Sequence, residues 1–202
     1  MVSVEGGDAK RLTWHPSGAI VRGWTNDGKH VLYASSRDAA PSGFDRLWTV
    51  PVKGGSSTLV TKQWSTSGSY SQDGKQMIID RMSRWDEEWR AYRGGQNTPL
   101  VILNLGNSKE ILLPNNKTTD IKPIWMGDKI YFLSDRDFVA NIWSFNTITS
   151  ELKQLTNYKG SDIKSLSGHN NILVFERDGY LHTLDLNTKT TTQLNITVIG
   201  DF

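Results

Sequence analysis

One turn-and-strand unit recurs four times along this chain, and nothing else in the sequence restricts the fold as much. The first copy runs Trp24-Thr-Asn-Asp-Gly-Lys29 into His30-Val-Leu-Tyr-Ala-Ser-Ser-Arg37-Asp38. The second is Tyr70-Ser-Gln-Asp-Gly-Lys75 into Gln76-Met-Ile-Ile-Asp-Arg81. The third is Trp125-Met-Gly-Asp-Lys129 into Ile130-Tyr-Phe-Leu-Ser-Asp-Arg136-Asp137, and a weaker fourth leads through Asn171 into Ile172-Leu-Val-Phe-Glu-Arg177-Asp178. After each copy come a second apolar strand, a turn and a third short strand, bounded by Gly, Asp or Asn. That is the patterning of a pleated sheet, and the Asp-Gly-Lys turns predict two-residue hairpins with positive φ.

A unit of about 40–45 residues with up to four short strands is the signature of a propeller blade. A blade buries its faces only by stacking on others, and the abundant aromatic residues suit the space between blades. The expected fold is therefore all-β: a β-propeller of four-stranded antiparallel blades, with about four to five blades present in an incomplete six-bladed ring. Residues 1–202 form one partial propeller domain in this reading. Residues 14–61, 62–113, 114–156 and 157–194 are successive blades, and 195–202 is an exit segment. Residues 2–13 align without gaps on 50–61. That alignment predicts that 1–13 is the end of a blade whose beginning is missing, and that exposed sheet edges favour self-association.

Composition narrows the function classes. The 23 basic and 21 acidic residues leave a net charge of +2 with no basic block. Neither nucleic acid nor a membrane is therefore expected as a partner. Cysteine is absent, which excludes disulfides, thiolate metal sites and a cysteine nucleophile. No apolar run approaches the roughly 20 residues of a membrane span. The first residues do not read as a signal peptide. No cofactor is expected.

A hydrolase triad is not visible. There is no Gly-x-Ser-x-Gly elbow, and Ser67-Gly-Ser69 reads as hairpin geometry. His15, His30, His169 and His182 form no metal-binding pair. His30 and His169 fall at or beside turns. His15, flanked by Trp14 and Pro16, is the one histidine kept as a candidate pocket residue. The repeated Arg-Asp pairs at 37–38, 136–137 and 177–178 read as structural, pairing with an Asp of the next blade or with loop carbonyls.

The best candidate for binding is the insertion Arg84-Trp-Asp-Glu-Glu-Trp-Arg-Ala-Tyr-Arg-Gly-Gly95. On a helix, Trp85 and Trp89 share a face. Rings offer area at low entropic cost, and the guanidinium groups of Arg84, Arg90 and Arg93 can grip a carboxylate. With Tyr92, these residues form a candidate peptide-binding set. The competing reading is that Trp85, Trp89 and Tyr92 cap the end of a blade.

The repeats resemble the TolB-like repeat, on Trp24-Thr-Asn-Asp-Gly-Lys29 with Ser36-Arg-Asp38 and on Trp125 with Asp135-Arg-Asp137. The insertion 84–95, the segment Ile124–Arg136, Leu12-Thr-Trp-His-Pro16 and Gly23-Trp-Thr25 resemble the N-terminal propeller of tricorn-like peptidases. That resemblance implies a non-catalytic module of a large, oligomeric, cytoplasmic serine peptidase. Its role would be the passage or binding of peptides, and its partners would be peptides and the remaining domains of the parent. A TolB-like interaction propeller, periplasmic if an upstream signal exists, is the alternative. The propeller of another hydrolase, of prolyl-oligopeptidase or amidohydrolase type, is a further one.

Overall fold

The fold is that of a computed structural model, which describes residues 1–39, 44–81, 91–94 and 97–197. Sixteen strands make four antiparallel four-stranded sheets, each in sequence order. Blade I holds β1 (Ile20–Trp24), β2 (His30–Ser35), β3 (Arg46–Pro51) and β4 (Thr58–Leu59). Blade II holds β5 (Ser67–Tyr70), β6 (Gln76–Asp80), β7 (Val101–Asn104) and β8 (Glu110–Leu112). Blade III holds β9 (Asp120–Met126), β10 (Lys129–Ser134), β11 (Asn141–Asn146) and β12 (Leu152–Gln154). Blade IV holds β13 (Ser165–His169), β14 (Ile172–Arg177), β15 (Tyr180–Asp185) and β16 (Thr190–Gln193). The described residues contain no helix. The protein is an all-β propeller, and its described blades number four.

The blades stack through their alternating faces. In β6, Met77 and Ile79 turn to Leu32, Ala34 and Leu47 of blade I, while Ile78 turns the other way, to Ile130 and Phe132 of blade III. In β10, Tyr131 and Leu133 point oppositely, to Leu173, Phe175 and Leu184 of blade IV. Strands covered on both sides read as continuous apolar runs, which is why the second strand of each unit shows little polar alternation. Each fully buried large side chain is worth roughly 1.5–3 kcal/mol over exposure, so these three clusters are the main cohesion of the fold. A fourth cluster, Val31, Tyr33, Trp48 and Val50, lies on the face of blade I turned away from blade II, with Leu12 and Val52 packed against it.

The turns differ from the expected two-residue hairpins in blades I and II. There the Asp-Gly-Lys segment is a longer loop, closed by Thr25 N–H donating to the His30 carbonyl and Ser71 N–H to that of Gln76. Asp27 accepts from the Thr25 hydroxyl at 2.6 Å and from Lys29 N–H at 3.0 Å. Asp73 repeats this with Ser71 and Lys75. The hydroxyl and carboxylate wrap the loop, and Gly28 and Gly74 take φ of 66° and 68°. Both carboxyls are held below their ordinary value, first by the hydroxyl hydrogen bond. Blades III and IV do use two-residue turns: Met126 pairs with Lys129, and His169 with Ile172.

Residues 1–13 repeat the geometry of an outer blade hairpin. Met1 and Lys10 exchange backbone hydrogen bonds, and Gly6 N–H donates to the Ser3 carbonyl at 3.0 Å. At the aligned positions Thr49 pairs with Thr58, and Gly54 N–H donates to the Pro51 carbonyl at 2.8 Å.

Candidate functional site

The first strands of the four blades, β1, β5, β9 and β13, surround a central channel of about 1220 Å³. Each has only one strand partner, the second strand of its own blade, so its other edge faces inward. Neighbouring blades cover part of that edge. Trp125 N–H donates to the Ser69 hydroxyl at 3.0 Å, and Lys122 N–H to the Asp80 carboxylate at 3.3 Å. The remaining edge groups are oriented donors and acceptors for an extended chain.

Charge in the channel is one-sided. Its lining includes Arg22 and Lys122, and the described lining carries no carboxylate. The Arg22 Nε is buried without a hydrogen-bond partner. Burial pushes the Tyr70 phenol up to about 12, so it stays a neutral hydroxyl. Ser67-Gly-Ser69 lies in the lining as part of β5 rather than in a hairpin turn. The reason is close packing: a Cβ on Gly68 would sit 2.7 Å from the Ile78 carbonyl oxygen and 2.9 Å from Leu47. Glycine is there to let blades I and II approach.

The residues singled out from sequence do not gather at the channel. Arg84, Trp85, Trp89 and Arg90 lie outside the described residues. Arg93 donates to the Asp135 carboxylate and carbonyl, both at 2.9 Å, and stacks over Phe138. It ties the insertion of blade II to blade III. Tyr92, next to it, offers its carbonyl to Arg93 at 3.2 Å. His15 is half-buried and accepts through Nδ1 from Ser17 N–H at 3.1 Å, a local turn contact. A smaller cleft of about 270 Å³ is lined by Lys62, Gln63, Trp64 and Arg81. Beside it Phe44 stacks on Trp64 with ring centroids 4.0 Å apart.

Arg136 and Arg177 are structural in different ways, and neither reaches the next blade's Asp. Arg136 pairs at 2.7 Å with Asp120 of its own blade and donates to the Pro114 carbonyl. Arg177 pairs with the adjacent Asp178 at 2.8 Å. The intra-blade ladder brings Asp120 and Arg136 together across the first hairpin of blade III, which sequence spacing alone does not reveal. Burial pushes the Asp120 carboxyl up, opposed by Arg136, Ser134, Asn115 and Thr118.

The channel residues Arg22, Lys122 and His169 were missed from sequence. The only signal for them is that they sit in the first strand of their units, whose inner position emerges once the blades stand around one axis. The described residues contain no group of three His, Asp or Glu able to hold a metal ion. Among the described residues no helix is long and apolar enough to cross a membrane.

Comparison with known proteins follows the same lines. The family described as the tricorn protease N-terminal beta propeller domain matches residues 1–190. The tricorn protease homolog 1 of Streptomyces coelicolor is 31% identical over 187 residues, covering 90% of this chain and 17% of that protein. The tricorn protease of Thermoplasma volcanium is 24% identical over 210 residues, covering 99% of this chain and 20% of that protein. The chain thus spans no more than a fifth of the length of these curated relatives. Among solved structures, a crystal structure of the tricorn protease superposes with a TM-score of 0.83 at 20% identity, covering 99% of this chain and 20% of that one. TolB from Acinetobacter baumannii superposes with a TM-score of 0.73 at 19% identity, covering 98% of this chain and 48% of that one. At such identities the structural likenesses speak for the fold.

Proposed function

The chain belongs to the family of tricorn protease N-terminal beta propeller domains, and on that premise we propose that it is a non-catalytic module for the passage or binding of peptides in a tricorn-like serine peptidase. The observation that carries this reading is the central channel, with its inward strand edges and one-sided charge. An extended peptide presents backbone N–H and C=O groups that such edges can pair. Arg22 and Lys122 favour its carboxylates and carbonyl oxygens. At about 1220 Å³ the channel exceeds the roughly 300–1,000 Å³ of small-molecule pockets. The partners on this reading are peptides and the remaining domains of the parent peptidase. Exposed blade edges offer a route to self-association, and the compartment is the cytoplasm.

The test is binding of a labelled, end-blocked, unstructured peptide to the whole chain, followed by fluorescence anisotropy. Ser167 is exposed and lines the channel. Ser167→Trp narrows the channel and Arg22→Gln removes a donor. Each should weaken binding by about tenfold, a loss of roughly 1.4 kcal/mol. The chain itself should release no product from the peptide. Wild-type affinity in both variants would sink the channel reading, and turnover abolished by a substitution within this chain would sink the non-catalytic one.

A further inference from the structure

On the reading that the channel takes peptides, we infer that it is divided along its axis. The mouth at the turn end seats an aromatic or large aliphatic side chain of the peptide, and the deeper half receives polar groups. Peptides carrying such a side chain are the class that the channel holds.

The inner strands run in one direction, so their C-terminal ends meet at a single mouth. Contacts between blades II and III fix this. Lys122 N–H reaches the carboxylate of Asp80, which stands opposite Ser67 at the start of β5. Further along both strands, Trp125 N–H reaches the Ser69 hydroxyl. Blades I and II agree: Asn26, just past β1, donates to the carbonyls of Ser71 and Gln72, just past β5, at 2.7 and 3.1 Å. Blade IV follows, since a Cβ on Gly168 near the end of β13 would lie 3.2 Å from Met126 Cε at the end of β9.

The two halves differ in chemistry. At the turn end the lining is Trp24, Tyr70, Trp125 and Met126. Tyr70 packs on the cluster between blades I and II, Trp125 on that between II and III, and Met126 on that between III and IV. Each of these three is only partly buried, so it is pinned from behind and presents its remaining surface to the channel. They belong to blades II and III, which have a neighbour on both sides, so the arrangement does not depend on where the chain begins. The Trp125 indole N–H is already used by the Gly127 carbonyl at 3.0 Å, which leaves the ring to offer apolar area. At the opposite end the lining is Ser67, Lys122 and Ser165, and Arg22 lies between the two ends. Both cations stand where strand pairing is irregular: β1 shifts register between Val21 and Gly23, and β9 between Ile121 and Ile124. Such bulges re-aim a side chain.

Strand edges pair with the backbone of any peptide alike, so they hold a chain without choosing its sequence. Choice comes from side-chain pockets beside the edges. Rings and a thioether already fixed by packing can cover an apolar side chain at low entropic cost. The same surface offers an acidic or small polar side chain no partner, whereas the deeper serines and cations do.

The experiment titrates the whole chain with acetyl-Gly-Ser-Gly-Phe-Gly-Ser-Gly-amide and with its counterparts carrying Leu or Ser in place of Phe. NMR follows the indole N–H signals of Trp24 and Trp125, assigned through Trp24→Ala and Trp125→Phe. The Trp24 signal suffices if Trp125→Phe fails to fold. The Phe and Leu peptides should bind at least about tenfold more tightly than the Ser peptide. The Phe peptide should shift both indole signals through its ring. Trp24→Ala should shrink the preference for Phe about threefold, whereas Arg22→Gln should weaken all three peptides alike. Equal affinity for the three peptides, with Arg22→Gln still weakening each, would overturn the divided channel and leave the peptide path standing. Affinity indifferent to Arg22→Gln as well would overturn both. A preference for Phe without a response at either indole would put the ring elsewhere and remove the mouth.

Discussion

Blades I and III share one register and one set of aromatic positions, and they differ in how those positions are completed. In blade III, Arg136 meets Asp120, and Trp125 packs against the cluster shared with blade II. In blade I, Arg37 rests on its rings without a counter-ion among the described residues, and Trp24, at the position of Trp125, is 52% exposed. A repeat copies the backbone and the residue type. It does not copy the environment, because the environment belongs to whichever blade or segment lies alongside.

Three measurements test this contrast. The largest effect is expected from Asp120→Ala, which leaves Arg136 buried and uncompensated. Urea unfolding should show a loss of about 3–5 kcal/mol, the cost of breaking a buried pair. Arg37→Ala should cost far less. Equal losses at the two arginines would mean that the counter-ion is not what separates the blades.

The tryptophans come next. Trp125→Ala removes a ring from an inter-blade cluster and should cost about 2–4 kcal/mol, whereas Trp24→Ala should cost less than about 1 kcal/mol. A large loss at Trp24 would show that blade I is covered there after all.

The smallest effect concerns the first turns. Asp27 wraps the loop of blade I, and its carboxyl is held below its ordinary 3.8, first by the Thr25 hydroxyl and then by Lys29 N–H. Its folded-state value is depressed, so its contribution is fully present above the unfolded value and is lost as pH falls through the folded one. Blade III closes its first turn in two residues and has no such staple. Asp27→Asn should therefore flatten the fall of the urea midpoint between about pH 4 and pH 2. An unaltered acid profile in Asp27→Asn would remove the staple from the comparison.

Much of the fold was legible beforehand. The second strands from His30, Gln76, Ile130 and Ile172 follow local rules of side-chain alternation, whereas the Asp-Gly-Lys turns of blades I and II, expected as two-residue hairpins, are longer loops. The candidate site was far less legible. Arg93 looked free to bind a ligand, yet Asp135, 42 residues away in the chain, holds it. The Arg-Asp motifs read as links to an Asp of the next blade or to loop carbonyls; Arg136 donates to the Pro114 carbonyl, but its carboxylate partner is Asp120 of its own β9. Sequence spacing says nothing about contacts that depend on the angle at which blades stack.

Local sequence pattern is enough to establish a propeller. Period, strand pattern and turn residues are local properties, repeated often enough to specify the unit and its order. Tertiary structure alone decided which first-strand residues line the channel, why Gly68 must be glycine, and which of two like-placed arginines finds a carboxylate. Those outcomes rest on contacts such as Ser69 to Trp125, separated by 56 residues. They exist only when separately encoded blades are brought face to face, because burial and charge compensation are set by what lies across the interface.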